Sequence, residues 1–371
     1  MLKINNLLLK ALSNRLGRSA TQLELKPRLQ ILGSDLPDLS KSEVESIVKT
    51  WNPVSKNHID LDYWRFYKAF NNGRVNPMLV PDNIFWSRII RTLNPISITR
   101  TYINKSLYPI IFKGLNQPKV LINVISGIIY DRDMNVISFN SAVQLLSSVK
   151  TNKILKPTIA SSGGRGVSMI SHSATTEEIK TILATYGQNY ICQEVVNQSK
   201  HTAVFNKSSL NTFRINTLNI NGKVTCECLM MRHGQNGSVV DNFAVGGVVC
   251  GMNTEGCFND NNYNTSLKLI PKLPDGTSYS AHMIPAIGNV VATAIDAHIK
   301  FMPHIGHAAW DFAINDREQP VMIEVNLMLP GILMEQLTSR NSIFGDRVEE
   351  VIHYAENRNK TLSWTEFVGG W

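Results

Sequence analysis

Gly306-His-Ala-Ala-Trp-Asp-Phe-Ala-Ile-Asn-Asp-Arg-Glu-Gln-Pro-Val-Met-Ile-Glu-Val-Asn-Leu-Met-Leu-Pro-Gly331 reads as two strands joined by a polar turn. Trp310, Phe312 and Ile314 alternate with Asp311 and Ala313. Val321, Ile323 and Val325 alternate with Met322, Glu324 and Asn326. Between them, Asn315 to Pro320 is turn chemistry. Strict alternation puts Asp311, Glu324 and Asn326 on the face opposite the apolar members. Two carboxylates and an amide oxygen on one face suit a hard cation such as Mg²⁺, with water and phosphate in the remaining positions. The competing reading is a solvated strand face. The apolar character of the rest of the hairpin weighs against it.

The chain has 371 residues, enough for two or three domains, with 43% hydrophobic and 18% charged residues. Its net charge is +8. The positive charge is spread out, with no Lys/Arg run of five or more, so anionic substrates explain it better than nucleic acid does. Five cysteines at positions 192, 226, 228, 250 and 257 show no zinc spacing. They fit a reduced, cytoplasmic setting. No secretory signal is visible, and no apolar run reaches the length of a membrane span. The Leu-rich first segment has two readings. It lies on a membrane surface, or it packs against the body of the protein; the second is favoured.

Residues 1–100 read as a mainly helical region. Leu7, Leu8, Leu12 and Leu16 keep helical spacing. Ser40 and Glu43 form a capping box. An aromatic stripe over Leu61 to Asn71 reads as core. Residues 101–196 change to mixed α/β character. Here Ile128 to Ser138 is a hairpin about the turn Asp131 to Asn135, and Ile154 to Pro157 is a short strand. The loop Ser161-Ser-Gly-Gly-Arg-Gly166 follows, then a strand from Val167 to Ile170. Tyr190 to Val196 is a strand leading to a hinge near residues 194–198. Residues 197–371 carry a long hairpin, Asn211 to Ile220 and Lys223 to Arg232, about the turn Asn221-Gly222. A weaker hairpin spans Val239 to Phe258.

The glycine loop joins two strands, so it is neither a Walker-type nor a dinucleotide-binding motif. It folds over phosphates through backbone N–H donors, or it is a plain hairpin turn. Lys156, just before it, places an ammonium within reach of a phosphate. A strand lysine, a small-residue glycine loop, the hinge Gln193-Glu-Val-Val196 and an Asp…Glu-x-Asn hairpin follow the order of the ATP-grasp fold. The strings Asn211-Thr-Phe-Arg-Ile-Asn-Thr217, Met231-Arg-His-Gly234, Val240-Asp-Asn242 with Gly246-Gly247, and Glu324-Val-Asn326 with Pro330-Gly331 and Gln336 resemble the sugar-transfer-associated ATP-grasp family. The resemblance runs from about residue 80 to 355.

It implies an α+β fold of two subdomains gripping ATP, behind the helical N-terminal region. Lys105 and Lys156 would contact the ATP phosphates. Ser161, Ser162, Gly163, Gly164 and Gly166 would form the closing phosphate loop. Gln193, Glu194 and Val196 would line the adenine pocket, with Asn197 or Gln198 near the ribose. Asp311, Glu324 and Asn326 would hold one or two Mg²⁺. Arg214 and Arg232 would be catalytic, neutralising an acyl phosphate and the tetrahedral oxyanion. Asn211, Asn216, Asp241, Asn242, Gly331 and Gln336 would face the substrates. Gly331 would do so through N–H donors at a helix start, against the simpler reading of capping. A strict two-residue turn opposes Arg214 to Leu229 and Arg232 to Asn211, on opposite faces. Either a bulge re-aims one, or only one is catalytic. Asp241 or His233 would accept the amine's proton, and a structural role for His233 is favoured.

The expected activity is an ADP-forming carboxylate–amine ligase. It would join an amino acid or amine to a nucleotide- or lipid-linked uronic acid in a surface-polysaccharide precursor; the reverse polarity stays open. The rivals are a peptide-type amino acid ligase and a nucleotide-binding scaffold without turnover.

Overall fold

The computed structural model describes residues 2–33, 35–55, 58–159, 166–235 and 246–368, with side chains from residue 8 onward. Ser161, Ser162, Gly163, Gly164, Asp241 and Asn242 lie outside the described residues. The fold is α+β, built on two antiparallel sheets.

The smaller sheet has the order β2-β1-β5-β3-β4. Its strands are β1 (Val120–Ile125), β2 (Ile128–Asp131), β3 (Lys153–Pro157), β4 (Ser168–Ile170) and β5 (Tyr190–Glu194). Helices Phe139–Ser148 and Thr176–Thr185 cover it. Val143, Leu146, Ile179 and Leu183 close a core with Ile122, Leu155 and Cys192. The expected hairpin over 128–138 is corrected in part. Tyr130 and Val136 do form a bridge. The main partner of β2 is β1, across Ser126 and Gly127, which take φ of 51° and 82°. β1 is apolar but for Asn123 and is buried from Leu121 to Val124, without the alternation that marks a half-exposed strand.

The larger sheet has the order β11-β10-β6-β7-β8-β9. Its strands are β6 (Thr212–Ile220), β7 (Lys223–His233), β8 (Val248–Met252), β9 (Phe258–Tyr263), β10 (His307–Ile314) and β11 (Pro320–Asn326). One face packs Phe213, Ile215, Leu229, Trp310 and Phe312 against helix Ile287–Phe301. The other packs Leu218, Ile220, Met230 and Val249 against the N-terminal helices and the helices Leu333–Ser339 and Val348–Thr361. The N-terminal region is therefore half of a core shared with the C-terminal helices. Its aromatic stripe, Tyr63, Trp64, Phe66 and Tyr67, is buried there. The capping box forms: Ser40 N–H donates to Glu43 at 2.6 Å, and Glu43 N–H to Ser40 Oγ at 3.3 Å.

Two bulges overturn strict alternation, and both shape the site. From Ile220↔Lys223 to Thr217↔Cys226 the hairpin keeps the register of a two-residue turn; then Asn216 faces Cys228 and Glu227 is left over. Arg214 thus opposes Met230, and Arg232 opposes Thr212. The two arginines share a face, contrary to the strict-turn pairing. Arg347 braces the bulge, donating to Thr225 Oγ1 at 2.6 Å and standing 3.8 Å from Glu227. In the second hairpin Asp311 opposes Glu324 but Phe312 opposes Met322, leaving Ile323 over. Alternation therefore fails below Glu324, and Met322 is buried beside Phe312.

Candidate active site

The β10–β11 register sets Asp311 opposite Glu324 and Ala309 opposite Asn326, so the three polar side chains converge. Asn326 Nδ2 donates to Asp311 at 3.3 Å and to Glu324 at 3.4 Å. β6 adds Arg214 directly beside Asp311. Arg214 Nε and Nη2 donate to the two Asp311 oxygens at 2.5 and 3.0 Å, a bidentate pair. Arg232 Nη2 reaches the same carboxylate at 3.0 Å. Burial works against ionisation of Asp311, but the two guanidiniums outweigh it and hold the carboxyl far below its usual range.

The smaller sheet and a turn docked beside it supply two ammonium groups. Lys105 begins a short 3₁₀ turn capped by Asn104. Its backbone N–H donates to Thr158 O, just past β3, at 3.1 Å. Its Nζ lies 2.5 Å from Glu324. Lys156, on β3, is pushed down to about 8, first by burial and then by the neighbouring Lys105 charge, with Glu324 opposing. Lys105, Lys156, Arg214 and Arg232 thus surround Asp311 and Glu324, and both sheets contribute. Gly166 ends the glycine loop at φ +75°, where a Cβ would stand 2.8 Å from the Pro157 ring; only glycine fits so close an approach.

The donor set fits Mg²⁺. Two carboxylates sit on adjacent strands, with an amide whose oxygen faces them after a simple flip. Among the described residues no group of three or more His, Cys, Asp or Glu is gathered for a metal. The site here is two carboxylates and an amide.

Sequence reasoning missed Glu335. This carboxylate comes from the helix Leu333–Ser339 and is 1% exposed. It accepts from Asn216 Nδ2 at 2.5 Å and lies 3.4 Å from Arg214. Burial pushes it up to about 7, with Arg214 and Asn216 pulling the other way. Asn216 is accordingly drawn into the site, and its Oδ1 is buried without a partner. Glu335 is the only carboxylate between Leu327 and Thr338, and that was the available signal. Tyr108 was also missed: its hydroxyl bonds the backbone of Val325, between Glu324 and Asn326, at 3.3 and 3.4 Å.

Other expected contacts fall elsewhere. Gln336, one position from Glu335, points the opposite way. Its amide binds Val80 N and O at 2.8 and 2.7 Å, Tyr67 at 3.0 Å and Ile343 N at 3.2 Å. It anchors the N-terminal region from a fully buried position. Asn211 is fully buried, donating to Thr202 O and Asn206 O, each at 2.8 Å. Gly331 offers no anion site. Asp82 accepts the Ile332 N–H at 3.1 Å, and a Cβ at Gly331 would lie 3.0 Å from the Glu24 carboxylate. Two acids from the N-terminal helices thus stand at the backbone where the resemblance places a substrate contact. Gln198 binds Asn206 O and Ser209 O, each at 2.9 Å, and so holds its own loop. His233 is structural: Nδ1 donates to Gly234 O at 2.7 Å, Nε2 meets Tyr279 at 2.8 Å, and burial lowers it to about 4. At the hinge, Gln193 is buried and donates to Pro118 O at 3.3 Å, Glu194 pairs with Lys119 at 2.6 Å, and Val196 is half-buried.

No curated protein matches the chain. Among solved structures it is similar to biotin carboxylase from Campylobacter jejuni, at 13% identity and a TM-score of 0.42, covering 71% of this chain and 48% of that one. It is similar to an L-amino acid ligase from Bacillus licheniformis, at 15% identity and 0.40, covering 74% and 51%. It is also similar to the D-alanine–D-alanine ligase of Coxiella burnetii, at 14% identity and 0.41, covering 72% and 60%. The chain spans about half the length of the first two. The model of the family described as sugar-transfer associated ATP-grasp matches residues 85–351, more than two thirds of the sequence. The span takes in both sheets, both lysines, both arginines and the convergent hairpin, and the chain belongs to the sugar-transfer-associated ATP-grasp family.

Proposed function

We propose that the protein is an ATP-dependent, ADP-forming carboxylate–amine ligase. It joins an amino acid or amine to a uronic-acid carboxylate in a surface-polysaccharide precursor. The observation that carries this reading is the convergence of Lys105, Lys156, Arg214 and Arg232 around Asp311 and Glu324. A site that brings a carboxylate against a triphosphate must neutralise both anions, and four cations around two metal-type carboxylates supply that charge.

In the reaction, a carboxylate oxygen attacks the γ-phosphorus of ATP and the bond to ADP breaks. The amine nitrogen then attacks the acyl carbon, phosphate leaves, and the amine gives up a proton. Lys105 and Lys156 bind the phosphates, and the loop from Ser161 to Gly166 closes over them. The hinge from Gln193 to Val196 takes the adenine. Asp311, Glu324 and Asn326 would hold Mg²⁺, which would supply charge screening for the phosphates. Arg214 and Arg232 donate to the acyl phosphate and to the oxyanion, while Asn216 and Glu335 hold the Arg214 side of the pocket.

The test is a release assay over a panel of nucleotide- and lipid-linked uronic acids and amines. ADP and phosphate are expected only with Mg²⁺, a sugar carboxylate and an amine together, and Glu324→Ala is expected to abolish turnover. AMP as product, or ADP release indifferent to the carboxylate or to Glu324→Ala, overturns the reading.

A further inference from the structure

The ligase reading leaves the outer surface of the N-terminal helices unused. Residues 1–32 hold six basic residues (Lys3, Lys10, Arg15, Arg18, Lys26 and Arg28) against one acid, Glu24, which is +5 of the chain's +8. From Leu2 to Leu32 the backbone is continuously helical, with a π turn at Thr21–Leu25. Ala20 and Leu25 face the core. Lys10, Arg15, Arg18 and Lys26 are exposed. The same helical segment carries apolar side chains that the fold does not cover: Leu8 is 47% exposed, Leu23 62% and Ile31 49%.

Beside this surface lies a cleft of about 450 Å³. Arg18, Lys26, Arg88 and His58 line it, together with Thr21, and Asp60 is its one acid. Arg88 is held toward the helix by a bond from Nη2 to Asn14 at 3.1 Å. The inner side of the same helical segment touches the catalytic half. Glu24, paired with Arg28 at 3.2 Å, lies against Gly331 in the loop that follows β11.

We propose that this surface docks on an anionic lipid bilayer, with the cleft receiving a lipid phosphate headgroup. The docked helix then presents a lipid-linked sugar beside the loop at Gly331; this last clause rests on the ligase reading, and the docking does not. Charge complementarity drives the encounter. Each Lys or Arg near an anionic leaflet contributes about fivefold in binding, and exposed Leu and Ile insert at the headgroup boundary. Among the described residues no helix is long and apolar enough to cross a membrane, so this contact is peripheral.

The test is sedimentation of the full chain, without ATP, with phosphatidylcholine vesicles that contain or lack phosphatidylglycerol. Binding is expected only to the anionic vesicles, with release by salt. The triple variant Arg15→Glu, Arg18→Glu, Lys26→Glu is expected to bind at least a hundredfold more weakly, from the contribution per residue above. A control triple of exposed residues elsewhere, Lys150→Glu, Lys268→Glu, Lys272→Glu, is expected to lose less than about fivefold. The exposed single change Leu23→Asp, which leaves the core intact, is expected to weaken binding several-fold. Three outcomes overturn the proposal: no binding to anionic vesicles, equal loss in the two triples, and inorganic phosphate binding that Arg18→Glu removes without any vesicle binding. ADP release with a soluble sugar acceptor is measured in parallel. Its failure in the wild type bears on the ligase reading alone, and its retention in the basic triple isolates docking from catalysis.

Discussion

Replacing Glu335 by Gln is expected to make the protein more stable at alkaline pH and not at acid pH. Two effects compete at this carboxyl. Arg214, 3.4 Å away, favours the ionised form, and complete burial favours the neutral one. Burial wins, raising the group from 4.5 to about 7. The folded state therefore holds the proton more tightly than the unfolded chain. Stability from this group is full below the unfolded value and is lost as pH rises through the folded one. At about 1.4 kcal/mol per pH unit, the loss is about 3 kcal/mol by pH 8. Glutamine cannot ionise, yet it keeps an oxygen for Asn216. The stability of the variant minus that of the wild type should therefore rise by about 3 kcal/mol between pH 4.5 and pH 8. Urea unfolding followed by tryptophan fluorescence, without nucleotide or metal, measures it, and other carboxyls cancel in the difference. A flat difference would mean that Arg214 keeps Glu335 ionised in the folded state. A falling one would make the pair a net source of stability and would refute the argument from burial.

Arg214→Ala should leave ATP binding nearly unchanged while the rate falls by about 10²–10³, as for the loss of one oxyanion donor; an equal loss of nucleotide affinity, measured by calorimetry, would move Arg214 to a phosphate-holding role. Gln336→Ala should destabilise the fold by about 2–4 kcal/mol, because it leaves buried backbone groups of Val80 and Ile343 without partners. The same variant, assayed at a temperature where it is folded, should keep the wild-type KM for the acceptor, since the side chain is fully buried among Tyr67, Val80 and Ile343.

The metal-type hairpin was legible because its chemistry is written in one short stretch. Asp311, Glu324 and Asn326 stand out among apolar neighbours, and antiparallel pairing brings them together whatever surrounds them. The arginine pair was legible only as a dilemma. Turn chemistry at Asn221-Gly222 sets a register that separates Arg214 from Arg232, and the extra residue Glu227 reverses it. That bulge is braced by Arg347, more than a hundred positions away, so no local pattern announces it. The error at Gln336 is of another kind. On a helix each residue turns about 100° from its neighbour, so the wrong choice within Glu335-Gln336 moved the functional side chain from the site to the N-terminal core. β1 escaped notice because a strand buried on both faces lacks the two-residue period.

The segment from Pro330 to Gln336, a turn running into the helix Leu333–Ser339, joins these observations. Its catalytic side carries Glu335 to Arg214 and Asn216. Its other side is fixed by the N-terminal region: Trp86 donates to Pro330 O at 3.0 Å, Asp82 accepts from Ile332 N, and Gln336 ties Val80 to Ile343. Behind this segment, burial and then the neighbouring Glu24 push the Asp82 carboxyl well above its usual range, and Glu24 is paired with Arg28, while Arg214, Arg232 and the two lysines put positive charge in front of it. Carboxylate and phosphate groups are thus favoured on the side of the four cations. The helical N-terminal region lies mostly outside the family match at residues 85–351. Through these contacts it fixes where Glu335 stands, and through Glu335 it helps set how Arg214 is aimed.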